Sequence, residues 1–252
     1  MIAGRNRGIA RLGVLVPFTN VNLEPDLALL APPGVSIHVA RMGGYDADAI
    51  PDGAQMGGLG AAPLDPPLAL LLGTQPDIVL YGCTSATLAH GPAFDAQLAR
   101  TVEARASAKA ITAAGSLVQA LADLSLKRIA FASPYVSSLN DQAIGFLEQS
   151  GFTIVSRADW PKMLSNAEQS AITPDEVIAL AKRADHGEAE AVVLSCTDMR
   201  SVEIVEELEM LLGKPVITSN QAMVYAALKI LGLTPASFPC GRLLRSLDKV
   251  MS

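Results

Sequence analysis

Three cysteines occur in the 252 residues, Cys83, Cys196 and Cys240, and two of them share a setting. Cys83 closes the apolar run Ile78-Val-Leu-Tyr-Gly and is followed by Thr84 and Ser85. Cys196 closes Ala191-Val-Val-Leu-Ser and is followed by Thr197 and Asp198. A cysteine that ends a buried strand and starts a helix lies near backbone N–H groups and a positive dipole end, which favours the nucleophilic thiolate. A lone cysteine in such a place is more often a small buried hydrophobe. The doubled Cys-Thr pair, with hydroxyls from Thr84, Ser85 and Thr197, argues instead for chemistry by Cys83 and Cys196. Cys240, in Ser-Phe-Pro-Cys-Gly-Arg, lacks that context and reads as structural. With no CxxC pair, neither a disulfide framework nor a zinc cluster is indicated.

Polar residues accompany the strand ends. Asn20 and Asn22 follow Val16-Pro17, and Tyr135 follows Ser133-Pro134 at the corresponding place in the second half. Uncharged amide and hydroxyl donors suit carboxylate oxygens and stabilise an enolate-like dianion where water is excluded. Asn22, Ser137 and Ser138 suit turns or helix N-caps. His38, His90 and His186 are scattered singly, without metal-site spacing, and His90 lies closest to the Cys83 motif. Glu203, Glu206 and Glu207 belong to a solvated helix face rather than an acid/base couple. Residues 42–60 hold Gly43, Gly44, Gly53, Gly57, Gly58 and Gly60, too many for a regular element and suited to a mobile lid. Neither a GxGxxG fingerprint after a strand nor a P-loop is present, so a nucleotide is not implied.

The elements that must position these residues follow from periodicity. Short Val/Ile/Leu-rich runs at 12–16, 36–40, 78–81, 128–132, 152–156, 191–195 and 216–218 read as buried parallel strands. Helical spacing covers 24–30, 66–72, 94–103, 115–124, 138–149, 174–184, 202–212 and 221–231. A weak repeat relates the halves: Ala10 to Pro17 matches Lys127 to Pro134, and the Cys83 strand end matches that of Cys196. The expected fold is therefore α/β, with two pseudo-symmetric Rossmann-like lobes, parallel sheets and a site in the cleft between them. One lobe is expected to comprise residues 1–114 plus 220–252 and the other 115–219. The apolar face of 222–231 suits either core packing or a homo-oligomer.

Half of the residues are hydrophobic and 17% are charged, which supports a large core and excludes disorder. Lysine and arginine total 19 against 25 acidic residues, a net charge of −6, so nucleic acid is not an expected partner. No apolar run reaches the roughly 18 residues of a membrane span, and no secretory segment follows the basic start, so a cytoplasmic protein without membrane attachment is expected.

Val16-Pro17-Phe18-Thr19-Asn20 with Glu24, Tyr81-Gly82-Cys83-Thr84-Ser85-Ala86-Thr87, Ser133-Pro134-Tyr135, and Leu194-Ser195-Cys196-Thr197 with Thr218 to Ala222 resemble the aspartate/glutamate racemase superfamily. The similarity runs from Arg11 to about Leu244 and favours the branch of maleate cis-trans isomerases and arylmalonate decarboxylases. The resemblance implies catalysis without metal or organic cofactor. It makes Cys83 the nucleophile and Cys196 the cysteine that handles the proton. Asn20, Tyr135 and Asn166 match positions that hold substrate carboxylates, and Thr84 and Ser85 match an oxyanion pocket, with Thr197 beside the substrate. The decarboxylases of this branch have glycine at the first cysteine, which weighs against that activity here. Amino-acid racemases proper carry Cys-Thr-His where this chain has Cys196-Thr197-Asp198. The expectation is an isomerase for a small carboxylate or dicarboxylate such as maleate. The alternatives are a racemase or epimerase of an N-acyl amino acid or hydantoin, an arylmalonate-type decarboxylase and a non-enzymatic carboxylate-binding protein.

Overall fold

The computed structural model describes residues 8–238 and 241–247, so Cys240 lies outside the described residues. The first half runs β1 (Ala10–Pro17), α1 (Leu23–Leu30), β2 (Val35–Met42), α2 (Gly53–Ala61), α3 (Asp65–Leu72), β3 (Ile78–Tyr81), α4 (Thr84–Leu88), α5 (Pro92–Ala106), β4 (Lys109–Thr112) and α6 (Ala113–Asp123). The second runs β5 (Arg128–Ala132), α7 (Ser137–Gln149), β6 (Thr153–Ala158), α8 (Asn166–Ser170), α9 (Pro174–Ala184), β7 (Ala191–Leu194), α10 (Val205–Leu212), β8 (Val216–Thr218), α11 (Ser219–Leu231) and α12 (Gly241–Arg245).

Two four-stranded sheets result, ordered β2-β1-β3-β4 and β6-β5-β7-β8, so each half repeats the same strand order. Every pairing is parallel, with Leu12 opposite Ile37 and Ile78 in the first sheet and Ile129 opposite Ile154 and Ala191 in the second. β3 and β7 are buried along their whole length because helices cover both faces. These two strands deliver the two cysteines at their carboxyl ends, where ligands of open α/β sheets bind. β4 was not among the expected strands. It is a four-residue edge strand with Lys109 exposed and Ala110 half-buried, too short to show a period.

Ser219 to Leu228 of α11 are all buried, and the helix packs against α6 and α1, so core packing accounts for its apolar face. A capping box at Thr218 and Gln221 starts it. The expectation of an irregular segment over 42–60 fails at Gly53–Ala61, which is helix α2, capped by Asp52 accepting from the Gln55 N–H. Gly60 has a packing role. A Cβ on Gly60 would lie 2.4 Å from the Ala86 carbonyl oxygen, so only glycine lets α2 approach α4 this closely. Ser137 and Ser138 do not cap α7; the cap position falls on Val136, and the Ser137 hydroxyl accepts instead from Arg157. None of the described helices is long and apolar enough to cross a membrane.

Candidate active site

Cys83 and Cys196 are buried at the ends of β3 and β7 and line one cavity. The loops carrying them are tied together by Thr197. Its hydroxyl accepts from Asn20 Nδ2 at 3.0 Å and donates to the Gly82 carbonyl at 3.0 Å, next to Cys83. Asn20 in turn receives the N–H groups of Asn22 and Leu23 on Oδ1, so it supplies the turn bonds expected of Asn22. The Asn22 side chain caps nothing; it donates to the carbonyls of Ser170 and Asp198 in the other half.

Two successive residues at the start of α11 reach both cysteine loops. Ser219 accepts from the Thr84 hydroxyl at 2.9 Å, and Asn220 Nδ2 donates to the Thr197 carbonyl at 3.1 Å and to buried Asp26 at 2.7 Å. Thr84 is fully buried behind Cys83 and, unlike Ser85, is not part of the cavity wall. Tyr135 is buried with its hydroxyl among Thr84, Ser195 and the two thiols. Asn166, at the start of α8, lines the cavity and donates to the Ala47 and Ala49 carbonyls, tying that loop across the cleft. The cavity thus brings together Asn20, Cys83, Ser85, Tyr135, Asn166, Cys196 and Thr197.

Sequence reasoning missed Tyr45, Met56, Leu139 and Gln169, which also line the wall. Gln169 had a usable signal: Ser165 and Glu168 form a capping box that starts α8. Tyr45 had none, standing alone in a glycine-rich stretch. His90 stays off the cavity wall, with Nε2 facing the Gly57 carbonyl and the ring stacked on Phe94.

Electrostatically, the described wall has one formal charge, Asp198, and no lysine, arginine or histidine. An anion bound there meets neutral donors and one carboxylate in a shielded space. Expecting an already lowered thiol pKa missed the cost of burial. Burial pushes Cys83 up, opposed by the Ser85 hydroxyl, 3.6 Å from its sulfur, and by the backbone N–H groups of Ser85 and Ala86. Burial also pushes Cys196 far up, and here the next cause is the Asp198 charge, which raises it further. The helix-start donors therefore exist, but burial outweighs them at both thiols: Cys196 also receives the Asp198 N–H, 3.4 Å from its sulfur, and the Tyr135 hydroxyl, and the Asp198 charge raises Cys83 as well. Among the described residues no three His, Cys, Asp or Glu side chains group so as to hold a metal ion.

A family model described as arylmalonate decarboxylase matches residues 71–244. Maleate isomerase of Nocardia farcinica is 33% identical over 251 residues, covering 94% of this chain and 96% of that protein. Maleate isomerase of Pseudomonas putida is 29% identical, covering 93% and 96%. Among solved structures, a mutant of the Nocardia farcinica maleate cis-trans isomerase with a covalently bound succinylcysteine intermediate superposes with a TM-score of 0.85. It has 27% identity and covers 94% of this chain and 98% of that one.

Proposed function

The chain belongs to the arylmalonate decarboxylase family, and from that membership we propose that it is a two-cysteine isomerase that converts maleate to fumarate through a cysteine adduct. The observation that carries this reading is the pair of thiols facing one shielded cavity, with the Ser85 hydroxyl 3.6 Å from the Cys83 sulfur and the Asp198 N–H 3.4 Å from that of Cys196. The succinylcysteine seen in the Nocardia farcinica relative supports an adduct of the same kind here.

In this mechanism Cys83 reacts as its thiolate, after its proton has left for solvent. The sulfur forms a bond to one olefinic carbon, and the double-bond electrons move into the far carboxylate, giving an enediolate-like species. Asn20, Tyr135 and, once its amide leaves the Ala47 and Ala49 carbonyls, Asn166 hold the carboxylate oxygens, and the Ser85 hydroxyl stays near the reacting sulfur, with Thr84 and Thr197 setting the strand ends. Cys196 donates its proton to the neighbouring carbon. Rotation about the new single bond follows, Cys196 takes a proton back, and the carbon–sulfur bond breaks to release fumarate and the Cys83 thiolate. Only one thiolate is needed at a time, and the charge on Cys83 pushes Cys196 further up.

Proton NMR of the reduced protein with maleate tests the reading. Fumarate should form, and Cys83→Ser should abolish it while leaving the fold intact. Cys196→Ser should lower turnover by about 10²–10⁴, the usual worth of a proton donor. It should also leave the mass of one maleic acid on Cys83. Normal turnover in either variant refutes the mechanism, and absence of fumarate from the folded wild type refutes the substrate.

A further inference from the structure

Asp198 neither gives nor takes a proton in the steps above, and besides raising the Cys196 thiol its buried carboxylate has a second set of partners in the cavity wall. Both oxygens face protein donors. Oδ1 accepts the N–H groups of Val21 at 2.9 Å and Asn22 at 3.1 Å, and Oδ2 accepts the Ser170 hydroxyl at 2.6 Å. Val21 and Asn22 directly follow Asn20, and Ser170 is the last residue of α8, which begins at Asn166. The Ser170 hydroxyl is also 3.0 Å from the Asn166 carbonyl oxygen. Asn22 closes the ring by donating to the Asp198 and Ser170 carbonyls at 2.8 and 3.0 Å.

We propose that Asp198 is a positioning residue: its carboxylate fastens the loop of Asn20 to the helix of Asn166, fixing the spacing of the two amides that hold the substrate's carboxylates. A buried carboxylate is costly unless its oxygens are hydrogen-bonded, and here three donors meet it from both halves of the chain. No other charged side chain lines the described cavity wall, so these neutral donors are what hold the carboxylate in place. The effect on turnover rests on the isomerase reading; the clamp itself does not.

The test compares Asp198→Ala, Asp198→Asn and Ser170→Ala. Alanine removes all three bonds, so KM for maleate should rise about 10–100-fold; it also removes the charge that raises Cys196, so kcat is read on Ser170→Ala, which keeps the carboxylate and should stay within about threefold of wild type. Asparagine keeps an acceptor for the two N–H groups and offers Ser170 a donor, so it should recover most of that loss. Ser170→Ala should raise KM about three- to tenfold, and its effect should vanish when Asp198 is already alanine. Hydrogen exchange of the Val21 and Asn22 amides, read without substrate, should quicken in Asp198→Ala and not in Asp198→Asn. Unchanged exchange, or a KM within twofold of wild type in Asp198→Ala, overturns the proposal. If that variant does not fold, an unchanged KM in Ser170→Ala does so. A wild type that fails to turn over maleate sinks the substrate reading alone, since exchange still decides the clamp.

Discussion

Two glycines of α2 should respond to the same substitution with opposite signs. Gly58 is exposed, and a Cβ there would meet nothing within 4 Å. Gly58→Ala therefore expresses helix propensity alone, a gain of about 0.5–1 kcal/mol. At Gly60 the same methyl would lie 2.4 Å from the Ala86 carbonyl oxygen and 3.1 Å from His90 Cδ2. The carbonyl is backbone of α4, directly behind Cys83, and cannot swing aside. Overpacking of this kind costs about 1–3 kcal/mol, so after the propensity gain Gly60→Ala should lose up to about 2.5 kcal/mol. For a chain of this size that is a fall in Tm of up to roughly 10 °C, against a rise of roughly 1–4 °C for Gly58→Ala. Scanning calorimetry and urea titration both read the difference. Because α2 carries Met56 into the cavity wall, Gly60→Ala should also raise KM for maleate several-fold, while Gly58→Ala leaves it alone. A Gly60→Ala protein as stable as Gly58→Ala would refute close α2–α4 approach as the reason for that glycine.

Other substitutions probe buried polar groups. Burial holds Asp26 at about 7, well above its unfolded value, so the folded state keeps a proton that the unfolded chain has released. Stability should accordingly fall as pH rises from about 4 to about 7, by about 2–4 kcal/mol in all. Asp26→Asn should flatten that slope in urea titrations and be more stable than wild type at pH 8; an unchanged slope would show that Asp26 is not the source. It also offers a donor to Asn220 Oδ1, which is buried without a partner. Thr197→Val keeps the shape but leaves the Asn20 amide and the Gly82 carbonyl unpaired, costing about 2–4 kcal/mol of stability and raising KM. A KM equal to wild type would mean that the hydroxyl does not hold Asn20.

The two cysteine strands were legible because each is a short, fully buried run ended by the same Cys-Thr pair, a pattern that needs no knowledge of tertiary contacts. Sheet order was foreshadowed only by the proline-ended runs at Pro17 and Pro134. β4 was hidden by its length and its exposed lysine, α2 by glycines that read as flexibility although one of them, Gly60, serves close packing. The turn at Asn22 was assigned to the wrong amide, because only the folded chain shows Asn20 closing it while Asn22 reaches across to the other half. The direction of the thiol shifts was lost for a related reason: a helix start is visible locally and Asp198 stands two residues from Cys196, but complete burial, the largest cause at both sulfurs, is assembled from distant segments. Asp198 stood out in the sequence as a departure from the racemase pattern, and its donors come from residues 177, 176 and 28 positions away.

The start of α11 has a mechanical consequence. Ser219 grips the loop of one cysteine and Asn220 that of the other, so a single turn of a buried helix serves as a common ruler for both sulfurs. Prising the halves apart would pull two neighbouring residues of that helix in opposite directions. Traffic to the cavity is therefore expected to pass on the Tyr45 and Pro51 side, where the wall is a loop held to Asn166 by its carbonyls, leaving the sulfur-to-sulfur gauge undisturbed throughout the catalytic cycle.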